Sequence, residues 1–279
     1  MLYDQIRWEE KAIIETAKSR GTPVKLLDSK SMFFELGARE RGGEKFADII
    51  LQRCVSYFRN LHLTALLEKR GYTVVNPYKV TQLCGNKLLT TLALTKAKIP
   101  TPKTYVAFTK ESALEALDKM GYPAMLKPVV GSWGRLIIPL KDRETAGAVL
   151  EEREYMFPLY QVYYLQEMVK RPPRDIRVFV IGDEAVTGIY RYSFLDIKTN
   201  IARGGKAEPC RITPELQELS LKAAEAVGSG ILGVDMMETD EGIVVHEINH
   251  TIEFQATATV TKVNIPKYIV GYLLRKARK

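Results

Sequence analysis

Cysteine is scarce in this chain: 279 residues hold three, Cys54, Cys84 and Cys210. An odd number with no CxxC pair gives no disulfide framework, so a reducing, cytoplasmic setting is the expectation. Long apolar runs are lacking too. No stretch reaches the length of a membrane span, and no apolar segment follows Met1-Leu2-Tyr3-Asp4 as it would in a signal peptide. No repeat or low-complexity tract occurs. No serine or cysteine stands in a nucleophile elbow, so covalent catalysis has no support. What is present is ordinary for a globular core of one or two domains: 46% apolar and 27% charged residues. The formal charge of +8 points to an acidic partner: a nucleotide, an acidic protein or a nucleic acid.

Helical and strand-like segments alternate over the first part. Residues 2–4 read as a very short strand, leaving open a trimmed start or a stub. Residues 8–20 read as a helix closed by Gly21, 24–27 and 47–51 as apolar strands, 58–70 as a helix closed by Gly71, and 73–76 as a β-branched strand. This order predicts a small parallel sheet covered by helices. A second segment starts near Cys84, with helices 88–98 and 112–120 and strands 105–108, 124–127 and 136–140. The third follows Pro172-Pro173. It holds a hairpin turning at Gly182-Asp183, a helix opened by Thr213-Pro214, a second hairpin turning at Glu241-Gly242, and a basic terminal helix over 268–277.

The second hairpin carries the strongest chemistry. Asp235 interrupts an apolar strand, and Glu247 and Asn249 stand two apart on the returning one, so they share a face. The return can bring Asp235 beside them, giving an all-oxygen cluster suited to Mg2+ bridging phosphates. An acid inside an apolar strand is costly unless paired or metal-bound. His246 is expected on the opposite face from Glu247, and no Cys or third His has ligand spacing, which argues against a transition metal. His250 is a candidate pocket residue. Lys127 ends an apolar strand just before Pro128, and Gly131 to Gly134 follow; glycines let backbone amides approach phosphate closely. No helix follows that loop, so it is not a P-loop. Lys87 is a second candidate phosphate ligand, and the backbone of Gln166, Glu167, Met168 and Val169 could pair with adenine. Arg191 and Arg203 could grip carboxylates or phosphates bidentately.

These segments in this order resemble the LysX family of RimK-like ATP-grasp ligases in lysine biosynthesis: Cys84-Gly85-Asn86-Lys87, Leu126-Lys127-Pro128, Gly131-Ser132-Trp133-Gly134-Arg135-Leu136, Gln166-Glu167, Arg174-Asp175-Ile176-Arg177 and Glu247-Ile248-Asn249-His250-Thr251-Ile252-Glu253-Phe254. The resemblance spans essentially the whole chain. It implies a mixed α/β ATP-grasp fold with an N-terminal parallel-sheet domain (1–83), a central lid domain (84–165) and a C-terminal antiparallel-sheet domain (166–279). It implies that Lys87 and Lys127 contact the phosphates of ATP under a lid of Gly131, Ser132, Trp133, Gly134, Arg135 and Leu136. Adenine then meets Gln166, Glu167, Met168 and Val169, with Asp175 near the ribose and Asn200 near the phosphates. Asp235, Glu247 and Asn249 hold Mg2+, and Lys127 and Arg191 are the catalytic candidates. Arg191, Arg203, Gly204, Glu253, Phe254, Gln255, Ala256 and Thr257 shape the amino-acid pocket.

The implied reaction joins the α-amino group of 2-aminoadipate to the C-terminal glutamate side chain of LysW, a small acidic carrier protein. The chain departs from the family twice. Asn86 replaces a frequent Asp. Gln255-Ala256-Thr257 stands where aminoadipate-using relatives carry Lys-Asn and glutamate-using ArgX-like relatives carry Lys-Gly-Phe. The missing Phe favours the longer amino acid. The competitors are a RimK-like ligase using glutamate and, from another class, a nucleic-acid-binding protein, which has no use for the oxygen cluster. A homo-oligomer stays open.

Overall fold

The computed structural model describes residues 1–37, 46–131, 134–192 and 206–278. Ser132, Trp133, Asn200, Arg203 and Gly204 lie outside the described residues. The N-terminal part is built from β1 (Leu2–Tyr3), α1 (Trp8–Ser19), β2 (Leu27–Asp28), β3 (Ile50–Leu51), α2 (Tyr57–Lys69) and β4 (Val74–Val75). The pairs β1–β2 and β3–β4 are parallel, and a bridge from Leu2 to Gln52 joins them. The expected parallel sheet is therefore present, but its strands are two residues long. Of the apolar run 47–51 only Ile50 and Leu51 are strand.

Two helices, α3 (Tyr78–Cys84) and α4 (Lys87–Lys96), lead into an antiparallel sheet with α5 (Lys110–Met120) and α6 (Arg143–Glu154). Its strands are β5 (Thr104–Ala107), β6 (Ala124–Lys127), β7 (Ile138–Leu140) and β8 (Tyr163–Glu167), in the order β5-β8-β6-β7. Leu117 and Leu150 from the helices pack with Leu126, Leu140 and Leu165 of the sheet in one core.

The largest sheet has five antiparallel strands: β9 (Arg174–Gly182), β10 (Glu184–Tyr192), β11 (Lys206–Cys210), β12 (Gly230–Thr239) and β13 (Gly242–Asn249), in the order β11-β10-β9-β12-β13. Successive side chains of a strand point to opposite faces, and β9 buries both. Val178 and Val180 pack into one core with α7 (Pro214–Val227), while Phe179 and Ile181 join another with α9 (Ile265–Ala277). That explains the unbroken apolar run of β9. Helix α7 presents Leu216, Ser220, Ala223, Ala224 and Val227 inward, a period of three to four, and ends at Gly228, whose φ of 109° only glycine adopts without strain. Truncating Phe179, which is fully buried, should cost about 3–5 kcal/mol. A short helix, α8 (Gln255–Thr261), links β13 to α9.

Candidate active site

A cleft of about 980 Å³ runs between the central and C-terminal sheets and reaches the start of α1. Strand pairing builds its floor. Asp235 lies directly opposite Glu247, and Asn249 lies two residues further along the same strand, opposite Gly233. Cross-strand partners share a face, so the register brings Asp235, Glu247 and Asn249 together. The Asn249 side-chain amide donates to Asp235 Oδ2 at 3.2 Å.

On the neighbouring strands the same face carries a buried charge cluster. Arg177 donates from Nε and Nη2 to the two Asp235 oxygens at 2.6 and 2.7 Å. Arg191 grips Asp175 at 2.6 and 3.0 Å and reaches Asp235 at 2.9 Å. Burial opposes ionisation of Asp235, but the guanidinium charges of Arg177 and Arg191 outweigh it and hold the carboxyl far below the usual range. The same cluster pushes the Arg191 pKa up despite its burial.

Lys87 opens α4 and donates from Nζ to Glu247 Oε1 at 3.1 Å and to the Gly131 carbonyl at 3.0 Å. Burial pushes Glu247 up, yet the charges of Lys87 and Lys127 leave it below the ordinary carboxylate value. Lys127 ends β6 and donates to Gln166 Oε1 at 2.6 Å. Burial, with the charges of Lys87 and Arg171, lowers its pKa to about 8. Lys127 is thus a desolvated cation awaiting an anion. Gln166 is the second-last residue of β8, and β8 ends at Glu167; Met168 and Val169 follow outside the ladder and line the cleft.

Asp235, Glu247 and Asn249 carry the hard oxygen donors that Mg2+ takes, and here Arg177 and Arg191 engage both Asp235 oxygens while Lys87 engages one of Glu247. His246 does not fit the expectation that it faces away from Glu247. A bulge interrupts the β12–β13 register after Asp235, so Met236 pairs with Val245 and His246 is left as the extra residue. The bulge re-aims its ring, and His246 lines the cleft. Burial, then the charge of Lys127, lowers its pKa to about 4, so it is neutral, and its Nε2 is buried without a hydrogen-bond partner. His250 is likewise neutral, lowered to about 4 by burial and by Arg53.

Glu253, Gln255, Ala256 and Thr257 line the other end of the cleft. Phe254 does not: it is buried in the core shared with α9, edge-on to the Trp8 ring at 5.8 Å. Gly131, Gly134 and Arg135 line the cleft, whereas Leu136 is replaced there by Ile137. Leu136 has a φ of 57°, and its carbonyl accepts from Arg153 at 2.9 Å. Sequence reasoning missed Arg7 and Glu9, which with Trp8, weighed there only as a base-stacking ring, stand at the start of α1 and line the cleft. It also gave Arg177 no role in the site, although its spacing of two from Asp175 places both on one face.

Two antiparallel sheets gripping a cleft with lysines on one side and a carboxylate pair on the other define an ATP-grasp fold. A solved RimK domain protein ATP-grasp from Sphaerobacter thermophilus superposes with a TM-score of 0.81, covering 98% of this chain and 99% of that one at 23% identity. The sequence matches the LysX preATP-grasp domain over residues 1–83 and the RimK-like ATP-grasp domain over residues 84–273. The chain belongs to the RimK-like ATP-grasp ligases, in the LysX group. It is 41% identical to the alpha-aminoadipate–LysW ligase LysX of Saccharolobus solfataricus, covering 95% of this chain and 96% of that one. It is 32% identical to the glutamate–LysW ligase ArgX of Sulfolobus acidocaldarius over 81% of each. No described helix is long and apolar enough to cross a membrane.

Proposed function

We propose that this ligase joins the α-amino group of 2-aminoadipate to the side-chain carboxylate of a C-terminal glutamate on the carrier LysW, consuming ATP. A glutamate carboxylate oxygen attacks the γ-phosphorus, the bond to the bridging oxygen breaks, and ADP leaves. The amine nitrogen then attacks the acyl carbon of the acyl phosphate, loses a proton to solvent and expels phosphate. Lys87 and Lys127 hold the phosphate charges at the cleft's centre. Asp235, Glu247 and Asn249 would hold Mg2+, which neutralises charge developing on the β- and γ-phosphates. Gln166 to Val169 border the adenine end, with Asp175 towards the ribose, and Arg191 stands beside the reacting groups. Gly131 and Gly134 belong to the lid segment, and the family resemblance assigns Asn200 to the phosphates and Arg203 and Gly204 to the amino acid. The domain division at 84 and 166 goes with this reading, placing the nucleotide between the second and third units.

The observation that carries the reading is the cleft itself. It has Lys87 and Lys127 facing the Asp235–Glu247 pair, and the segment from Glu253 to Thr257 at its far end. Ala256 and Thr257 are small and leave room for the longer of the two amino acids. The test is mass spectrometry of a carrier ending in glutamate, incubated with ATP, Mg2+ and equal 2-aminoadipate and glutamate. The expected product carries 2-aminoadipate; a predominantly glutamylated carrier overturns the substrate, and no adduct overturns the reaction.

A further inference from the structure

The segment from His250 to Gln255 is held along its length by residues of the N-terminal part. Asn76 Nδ2 donates to the His250 carbonyl at 2.7 Å, and Asn60 Nδ2 to Thr251 Oγ1 at 3.3 Å. Buried Arg53 donates to the Ile252 carbonyl at 3.0 Å. Arg7 Nη1 donates to Glu253 Oε1 at 2.8 Å. Trp8 covers Phe254. Glu9, itself buried, accepts at one oxygen from the backbone N–H groups of both Phe254 and Gln255, each at 3.1 Å.

Glu9 and Glu10 both occupy the first turn of α1, yet they do different work. Glu10 caps its own helix, accepting from the Arg7 backbone N–H at 2.9 Å, and holds the Arg53 guanidinium at 2.8 Å. Burial pushes the Glu10 carboxyl up, but Arg7 and Arg53 leave it lowered. Glu9 makes no cap bond among the described residues; it reaches across the molecule and fastens the N-cap and first residue of α8, where Gln255, Ala256 and Thr257 line the cleft. A carboxylate accepting two amide N–H groups makes a strong, oriented clamp. Arg7 and Trp8 line the same end of the cleft.

We infer that Glu9 is a positioning residue for the amino-acid pocket: its clamp on Phe254 and Gln255 fixes where Ala256 and Thr257 stand, and so sets the pocket's length. The inference rests on reading residues 253–257 as that pocket. It gives the N-terminal part a direct role in choosing the amine substrate, with no part in holding the nucleotide.

The experiment compares Glu9→Ala and Glu9→Gln with wild type. Glutamine keeps an acceptor oxygen and should retain the clamp; alanine removes it. For whichever of 2-aminoadipate and glutamate the wild type uses faster, Glu9→Ala should raise the amino-acid KM by about tenfold or more, the scale of a misplaced binding group. The KM for ATP should stay within twofold, and Glu9→Gln should recover most of the loss. Hydrogen exchange in the ligand-free proteins should speed at the amides of Phe254 and Gln255 in the alanine variant and return towards wild type in the glutamine one. The inference is overturned if the amino-acid KM does not move, if the ATP KM rises in step with it, or if Glu9→Gln is as impaired as Glu9→Ala. If the wild type uses neither amino acid, the functional reading fails by itself, and unchanged exchange at Phe254 and Gln255 would separately overturn the clamp.

Discussion

The two ends of the cleft are built in opposite ways. At the phosphate end the acids and arginines stand on adjoining strands of one sheet, and hairpins bring them together, with Asp235 opposite Glu247 across a short turn and Arg191 on Asp175 sixteen residues away; Lys87 and Lys127 reach in from α4 and the central sheet. At the amino-acid end, Arg7 meets Glu253 across 246 residues and Glu9 meets Phe254 across 245. The first kind of site is local and periodic, and it rests on the sheet's own register. The second exists only once the N-terminal part has docked. On the proposed reading, the chemistry common to every substrate is thus built largely into the sheet. On the same reading, the part that distinguishes substrates hangs on a long-range contact, where small changes can shift it without unsettling the phosphate end.

The sharpest way to break this contrast is Glu247→Gln. The change keeps shape and removes a hard anionic ligand, so turnover should fall by on the order of 10²–10³, the scale of losing one preorganised electrostatic partner of the transition state. The amino-acid KM should stay put. Steady-state kinetics at saturating Mg2+ check both, and near-normal kcat would remove Glu247 from the metal set.

A somewhat smaller effect should appear in pH. Lys127 holds its proton only below about pH 8 in the free protein. Phosphate needs the cation, so kcat/KM for ATP should decline as pH rises through 8, by about tenfold per unit for a single ionisation. An ordinary lysine would hold its proton to about 10.4. Lys127→Arg, which stays charged, should flatten that limb whatever its effect on the absolute rate. A limb unmoved in the arginine variant assigns the ionisation elsewhere.

At the other end, Ala256→Val adds bulk where the pocket measures length. A methylene is worth about 1–3 kcal/mol in such a pocket, so the ratio of kcat/KM for 2-aminoadipate over glutamate should drop by roughly tenfold. ATP affinity should hold. An unchanged ratio would mean that Ala256 lines the cleft without touching the substrate.

The phosphate end was largely legible before the fold was known. Period two on a strand places Glu247 with Asn249, and an acid in an apolar strand announces Asp235. The same rule failed one residue away. It sent His246 to the far face, because a bulge has no signature in a sequence of β-branched and polar residues. Helix α8 was missed for a related reason. Gln255 to Thr261 carries three threonines and a valine, poor helix formers, and it holds as a helix where tertiary contacts secure its start. The grip of α1 on that start left no local trace, since Arg7 and Glu9 read as the ordinary charged first turn of a surface helix. Helix α6 escaped because its buried stripe is only Ala146, Leu150 and Arg153.

The smallest expected effect concerns Asn86, where the chain departs from a frequent aspartate. The structure gives this residue a backbone task. Its Oδ1 accepts from the N–H groups of Leu88 and Leu89 at 3.0 and 3.3 Å, capping α4 just before Lys87. Asparagine and aspartate cap about equally well, so Asn86→Asp should be nearly silent. Asn86→Ala should cost about 1 kcal/mol, a fall of roughly 2–4 °C in Tm. Lys87 is also tied by its own N–H to the Val129 carbonyl at 2.7 Å, so the cap is only one of two supports for the lysine. The ATP KM should therefore rise far less than in a Lys87 variant. Thermal unfolding and ATP kinetics on both Asn86 variants separate the possibilities. A loss of ATP use in Asn86→Ala without loss of stability would mean that Asn86 touches the nucleotide, and the phosphate end would then extend beyond the sheet and its two lysines.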